Sequence, residues 1–104
     1  MLLKAGVDIS RLKPQIRKKL PIIADLFERH TNGEFVVTST YEGTHSEGSL
    51  HYADLAVDGR SSSTNGGAFS GETLRLVDEL KEELGPDYDI INEGTHIHIE
   101  YDPK

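Results

Sequence analysis

Residues 88–101 read YDIINEGTHIHIEY, and this stretch decides the fold. Its second half alternates polar and apolar residues, because His96 and His98 are each followed by an isoleucine. Successive side chains of a β-strand point to opposite faces, so both imidazoles leave one face, about 7 Å apart, while the isoleucines enter the core. The pattern predicts a strand over 96–101 with one buried side and one polar side.

The residues before this strand complete a hairpin and predict a helix. A short strand over 88–92 leads into Glu93-Gly94-Thr95, which has the length and the glycine of a hairpin turn. Ser70 is a suitable N-cap and Gly85-Pro86 a suitable stop for a helix over 70–84. The apolar side of that helix consists of Leu74, Leu76, Val77, Leu80 and Leu84.

The remaining elements lie nearer the N-terminus. Residues 34–41 are rich in strand-forming side chains, and residues 52–60 alternate between apolar and acidic ones. Apolar residues recur at helical spacing over 14–29, and Pro21 within that stripe predicts either a kink or two short helices meeting there. The predicted fold class is α+β, with two main helices, 14–29 and 70–84, on one face of a small antiparallel sheet from 34–41, 52–60, 88–92 and 96–101.

Composition limits the possible functions. The 104 residues predict a single domain over 1–104, and the 36% hydrophobic content predicts a small core. There is no cysteine, so a metal would be held by His, Asp or Glu. The net charge of −7 argues against nucleic acid as a partner, although residues 1–31 carry a local net of +4, which is interpreted as a solvated helix face or a contact for an anionic partner.

Targeting signals are not evident in the sequence. The longest apolar stretches are far shorter than the about 20 residues that cross a bilayer, so membrane insertion is not expected. Met1-Leu2-Leu3-Lys4 lacks the apolar region of a signal peptide, so no export signal is expected either.

Histidines and an aspartate form a candidate metal site. His51 lies seven residues before Asp58, and in the predicted strand Asp58 shares a face with the small Ala56. Two histidine nitrogens and one aspartate oxygen, with the fourth position left to water, form the ligand set of a catalytic zinc centre. The alternative for His96 and His98 is a solvated outer strand face that continues into Glu100.

Residues 49–58, SLHYADLAVD, resemble the Ser-x-His-x-x-Gly-x-Ala-x-Asp signature shared by the D-Ala-D-Ala metallopeptidases of the cell wall and the Hedgehog signalling domain. His96-Ile97-His98 is similar to the His-x-His that closes that metal site. His45 lies six residues before His51, as another histidine does in the Hedgehog form. The resemblance covers about residues 40–101. In the predicted fold, the site lies on the sheet face away from the helices.

The resemblance implies a ligand set and several roles. His51, Asp58 and His98 would bind one Zn²⁺ per chain, and His96 would line the site. Either His96 or His45 is the candidate donor to a developing oxyanion, with a mobile loop histidine as the alternative for His45. Such a zinc lowers the pKa of its bound water from about 15.7 to about 7, which gives attack on an amide at neutral pH. The rim of the site would be formed by Ser49 and His45, facing the substrate.

Two features of the sequence depart from the family pattern. The glycine of the signature is Asp54 here, and the family's catalytic glutamate lies three or four residues before the next histidine. Position 92 is asparagine, so Glu93, three residues before His96, is the candidate general base, with an exposed turn residue as the alternative. Arg60 is a candidate for holding a substrate carboxylate, with an ordinary surface arginine as the alternative.

The implied activity is hydrolysis of peptidoglycan stem or cross-link peptides, as a D-Ala-D-Ala carboxypeptidase or an L-Ala-D-Glu endopeptidase. The chain looks most like the compact peptidase domains of phages and prophages, which would be cytoplasmic or virion-associated and act on the cell wall after release. A monomer is the expected state. Two alternatives remain open: a zinc-bearing binding or structural domain without catalysis, as the Hedgehog domain illustrates, and a metal-free acidic interaction module.

Overall fold

The sheet and its helices are described by a computed structural model over residues 1–30, 35–39, 55–60 and 70–103. The elements in chain order are β1 (Leu2–Leu3), α1 (Pro14–Arg17), α2 (Leu20–Arg29), β2 (Val36–Ser39), β3 (Ala56–Arg60), α3 (Gly71–Leu84), β4 (Tyr88–Asn92) and β5 (His96–Tyr101).

The described strands form one five-stranded sheet in the order β1-β2-β3-β5-β4. The pairs β2 with β3, β3 with β5, and β5 with β4 are antiparallel. The predicted α+β class is therefore confirmed, but the prediction of a purely antiparallel sheet is wrong. The strand β1 pairs parallel to β2. The Leu2 amide donates to the Phe35 carbonyl at 2.8 Å, and the Lys4 amide donates to the Val37 carbonyl at 2.9 Å.

The N-terminal helical segment is two helices, as one of the alternatives for Pro21 predicted. The helix α1 ends at Arg17, and α2 begins at Leu20 with Pro21 in its first turn. A proline is tolerated there because the first amides of a helix have no partner within the helix. Within the described part of the chain, no helix is both long and apolar enough to cross a lipid bilayer.

The helix α3 has the predicted ends. The Ser70 hydroxyl accepts the Thr73 amide at 3.3 Å, and Gly85, with φ of +88°, donates its amide to Lys81 at 3.1 Å. The assignment of Leu74 to the apolar side is wrong, since 53% of this residue is exposed. Helical spacing from the buried Leu76 instead places Thr73 in the interior, where it is 0% exposed.

The core lies between the helices and one face of the sheet. The inward-facing residues of β3, β4 and β5 include Val57, Ile90, Ile97 and Ile99, all of which are buried. Buried residues of α1, α2 and α3 complete the same cluster. The pleat consequently turns the alternate side chains of β3 and β5 to the face away from the helices.

Gly59 of β3 lies directly beneath two aromatic rings of this core. The rings of Phe27 in α2 and Phe35 before β2 are 4.6 Å apart between centroids. A Cβ added at Gly59 would lie 2.5 Å from Phe35 Cε1 and 2.7 Å from Phe27 Cζ. The absence of a side chain at position 59 therefore allows α2 to approach the sheet.

His30, at the end of α2, joins α2 to α3. Its Nδ1 lies 2.6 Å from Glu72 Oε2 and its Nε2 lies 2.7 Å from Glu79 Oε2. Both ring nitrogens of His30 therefore contact carboxylates of another helix rather than the carbonyls at the end of α2. Burial by itself lowers the pKa of His30, but the two hydrogen bonds outweigh it and raise the pKa above 6.5.

We expect Gly59→Ala to destabilise the protein by about 1 to 3 kcal/mol, because the added methyl group overpacks a filled core. Urea unfolding measures the loss. Gly71→Ala is the matched control, since a Cβ built at Gly71 has no heavy atom of the described residues within 4 Å apart from its chain neighbours and the backbone of its own helix. Equal stability of the two variants would contradict this account of the packing.

We expect His30→Gln to lower the melting temperature more at about pH 6 than at about pH 9. The pKa of His30 is higher in the folded protein than in the unfolded one, so protonation of the ring stabilises the fold. This stabilisation is complete below the unfolded-state pKa near 6.5 and is lost as the pH rises through the folded-state pKa. Thermal unfolding of metal-free protein at both pH values measures it. Arg29→Gln, which breaks an exposed ion pair with Asp25, serves as the control, and a pH-independent difference for His30→Gln would refute the prediction.

Candidate metal centre

The polar face of β3 and β5 brings several of the predicted site residues together. The sheet register places Asp58 of β3 directly opposite His98 of β5, and Arg60 opposite His96. These four residues alternate with inward-facing ones, so all four belong to the face away from the helices. The site therefore lies on two adjacent strands, whose backbone hydrogen bonds fix its geometry.

The Asp58 carboxylate is buried and faces both histidines. Its Oδ1 lies 3.0 Å from His98 Nδ1, and its Oδ2 lies 3.6 Å from His96 Nε2. Only 5% of Asp58 and 7% of His98 is exposed. A buried carboxylate requires hydrogen bonds or a compensating cation, and the contact with His98 provides one such interaction for Asp58.

The second ring nitrogen of His98 also faces a carboxylate. Its Nε2 lies 2.5 Å from Glu100 Oε1, two residues further along β5. Burial by itself lowers the pKa of His98, but the hydrogen bonds to Asp58 and Glu100 outweigh it and raise the pKa to about 9. Without a metal, His98 is therefore an imidazolium bridging two carboxylates at neutral pH.

His96 lies between Asp58 and the hairpin turn. Its Nδ1 is 3.0 Å from the Thr95 hydroxyl, and its Nε2 is 3.6 Å from Glu93 Oε1. The hydroxyl contact orients the ring. The distance to Glu93 exceeds that of a hydrogen bond, and 45% of the Glu93 side chain is exposed.

The predicted hairpin turn is confirmed. Gly94 has φ of +91°, a conformation that favours glycine, and its amide donates to Asn92 Oδ1 at 3.1 Å. The Glu93 amide donates to the His96 carbonyl at 2.9 Å. The turn thereby holds the candidate base Glu93 beside His96.

Three predicted site residues lie outside the described residues: His45, Ser49 and His51. Asp54, which replaces the glycine of the signature, also lies outside them. Of the predicted ligand set, the described part of the chain thus contains Asp58 and His98.

The pair of Asp58 and His98 fits a tetrahedral metal. Metal–ligand distances of about 2.0 to 2.1 Å and a tetrahedral angle at the metal put two ligand atoms roughly 3.3 Å apart from each other. The observed 3.0 Å between Asp58 Oδ1 and His98 Nδ1 is the distance of an N–H···O hydrogen bond, and it is also close to this value. Oxygen and imidazole nitrogen are also ligands that zinc accepts, so the two side chains are suited to share such an ion.

Sequence reasoning missed the role of Glu100, which was considered only as part of a solvated strand face. The signal was its spacing, because residues two apart in a strand share a face. An oxygen of Glu100 also lies within 4.8 Å of oxygens of Asp89 and Asp102. Groups of exposed acids are common without a metal, so this second cluster is not evidence for one.

Comparison of the chain with protein-family models, with curated proteins and with solved structures gives no match in any of the three. Function is therefore inferred from the side chains themselves.

We expect Asp58→Ala to destabilise the metal-free protein by about 2 to 3 kcal/mol, because it leaves the buried His98 ring without one of its carboxylates. Urea unfolding in the presence of a chelator measures the loss. Asp25→Ala removes a carboxylate from an exposed ion pair with Arg29 and should cost less than about 1 kcal/mol. Similar losses in both variants would show that the Asp58–His98 contact contributes little.

Proposed function

We propose that the chain is a zinc-dependent peptidase that cleaves peptidoglycan stem or cross-link peptides. The observation that carries the proposal is the buried Asp58 carboxylate, 3.0 Å from one histidine and 3.6 Å from another. Asp58 ends the segment that resembles the metallopeptidase signature, and both histidines belong to the His-x-His segment. The two segments that carry the resemblance thus contribute side chains to one place.

His51, Asp58 and His98 are the proposed ligands of one zinc ion. The fit of Asp58 and His98 to tetrahedral spacing supports two of the three, and the sequence resemblance supports His51. When bound, such an ion activates a water molecule and polarises a substrate carbonyl.

Glu93 is the proposed general base, and His96 is the proposed hydrogen-bond donor to the oxyanion. The half-exposed Glu93 carboxylate is accessible to a substrate and would take a proton from the attacking water and return it to the leaving amine. His96, oriented by Thr95, would donate a hydrogen bond to the developing oxyanion.

Substrate binding is assigned to the same sheet face and the segment that precedes β3. Arg60 lies opposite His96 and would pair with a carboxylate of the peptide. His45 and Ser49 are proposed to contact the substrate from the rim. Both D-Ala-D-Ala carboxypeptidase and L-Ala-D-Glu endopeptidase activities fit this arrangement, and action on the cell wall after release from a phage-infected cell is the proposed setting.

A non-catalytic zinc-bearing binding domain is the second candidate. It is favoured by the distance of 3.6 Å between Glu93 and His96, which leaves the candidate base without a hydrogen bond to that ring. It is also favoured by Asp54, which stands where the signature has glycine.

We expect elemental analysis of the purified protein to find about one zinc per chain, and His51→Ala and Asp58→Ala to lose both the zinc and the cleavage of muropeptides. Removal of a ligand from a three-residue zinc site weakens binding severely, since each ligand provides a large share of the coordination. Mass spectrometry of digests measures cleavage. Glu93→Gln should retain zinc while slowing cleavage by about 100-fold or more.

Asp25→Ala, far from the polar sheet face in sequence and in an exposed ion pair, is the control and should match the parent protein in both measurements. Stoichiometric zinc without any muropeptide cleavage would support the binding domain instead. Absence of zinc after incubation with the metal would eliminate both candidates.

A further inference from the structure

We propose that Glu100 is a positioning residue that selects Nδ1 of His98 as the metal-binding nitrogen. The inference rests on the proposed zinc site and adds to it a residue outside the ligand set. It follows from the contacts of the His98 ring and from the place of Glu100 on β5.

The ring of His98 offers two nitrogens to a metal, and each faces a different carboxylate. Nδ1 faces Asp58 Oδ1 on β3, and Nε2 faces Glu100 Oε1 on the same strand. A neutral imidazole has one protonated nitrogen and one lone pair, so the group that holds the proton decides where the lone pair points.

The distances distinguish the two nitrogens. Two ligands of one tetrahedral zinc lie roughly 3.3 Å apart, which is close to the 3.0 Å between Nδ1 and Asp58. Glu100 Oε1 lies 2.5 Å from Nε2, closer than two ligands of one tetrahedral zinc, so this carboxylate faces Nε2 as a hydrogen-bond acceptor and not as a second zinc ligand. The structure thus assigns Nδ1 to the metal and the Nε2 proton to Glu100.

The position of Glu100 on β5 holds its carboxylate against the ring. Glu100 is paired with Ala56 on one side and Asp89 on the other, and its side chain is only 18% exposed. Ala56 provides no polar group that competes for the carboxylate.

The consequence is a carboxylate–histidine–metal arrangement, in which the carboxylate fixes the ring and increases the basicity of the ligating nitrogen. Loss of such a partner typically weakens metal binding by about 10- to 100-fold. Glu100 therefore affects zinc affinity without contacting the zinc.

The test measures zinc affinity by competition with a chelator for the parent protein and three variants. Glu100→Ala should weaken binding by about 10- to 100-fold, and Glu100→Gln by less, because its amide oxygen still accepts the Nε2 proton. Asp89→Asn is the matched control: it removes the same charge from the residue paired with Glu100 and should change affinity by less than about 3-fold.

A second measurement examines the ring directly. Nitrogen-15 NMR of the zinc-loaded parent protein should show His98 protonated at Nε2 and metal-bound at Nδ1. Zinc bound at Nε2, or equal affinities of Glu100→Ala and Asp89→Asn, would overturn the positioning role while leaving the zinc site itself in place. A parent protein that binds no zinc would overturn the proposed function as well. Glu100→Gln, nearly equal in shape to the native residue, keeps the comparison valid if Glu100→Ala unfolds.

Discussion

The pleat of β5 connects the hydrophobic core to the candidate metal centre. Ile97 and Ile99 are fully buried on the helix side, and the same alternation sends His96, His98 and Glu100 to the opposite side. A shift of one residue in the pairing of β5 with β3 would exchange these two sets. The apolar contacts with the helices therefore determine the register at which His98 meets Asp58, so packing on one face positions chemical groups on the other.

Two carboxylates, those of Asp58 and Glu100, flank the imidazole of His98 in a largely buried place. Buried negative charge is unfavourable unless a proton or a cation compensates it. The same electrostatics thus account for the raised pKa of His98 and for the suitability of the site for a divalent ion, which would replace the proton shared with Asp58.

Local patterns in the sequence predicted much of this fold because they act over a few residues. The cap at Ser70, the stop at Gly85 and the hairpin turn at Gly94 each depend on their own neighbours. The strand β1 was missed because two residues carry no periodicity. The partners of His30 and the Nε2 contact of His98 were missed for another reason. These contacts depend on which carboxylates the tertiary structure brings close to each imidazole ring. Five histidines and 18 acidic residues allow many such pairings.

Asp58 and Gly59 are adjacent in sequence but are constrained for different physical reasons. Asp58 faces the candidate metal, whereas Gly59 faces the rings of Phe27 and Phe35 on the reverse of the same strand. In a survey of tolerated substitutions, positions 58 and 59 would both accept few residues. Because they are adjacent in sequence, both would be assigned to the candidate metal centre. Substitutions at position 59 are instead restricted by the close spacing between α2 and the sheet. A map of intolerant positions would therefore make the functional site look longer along β3 than it is.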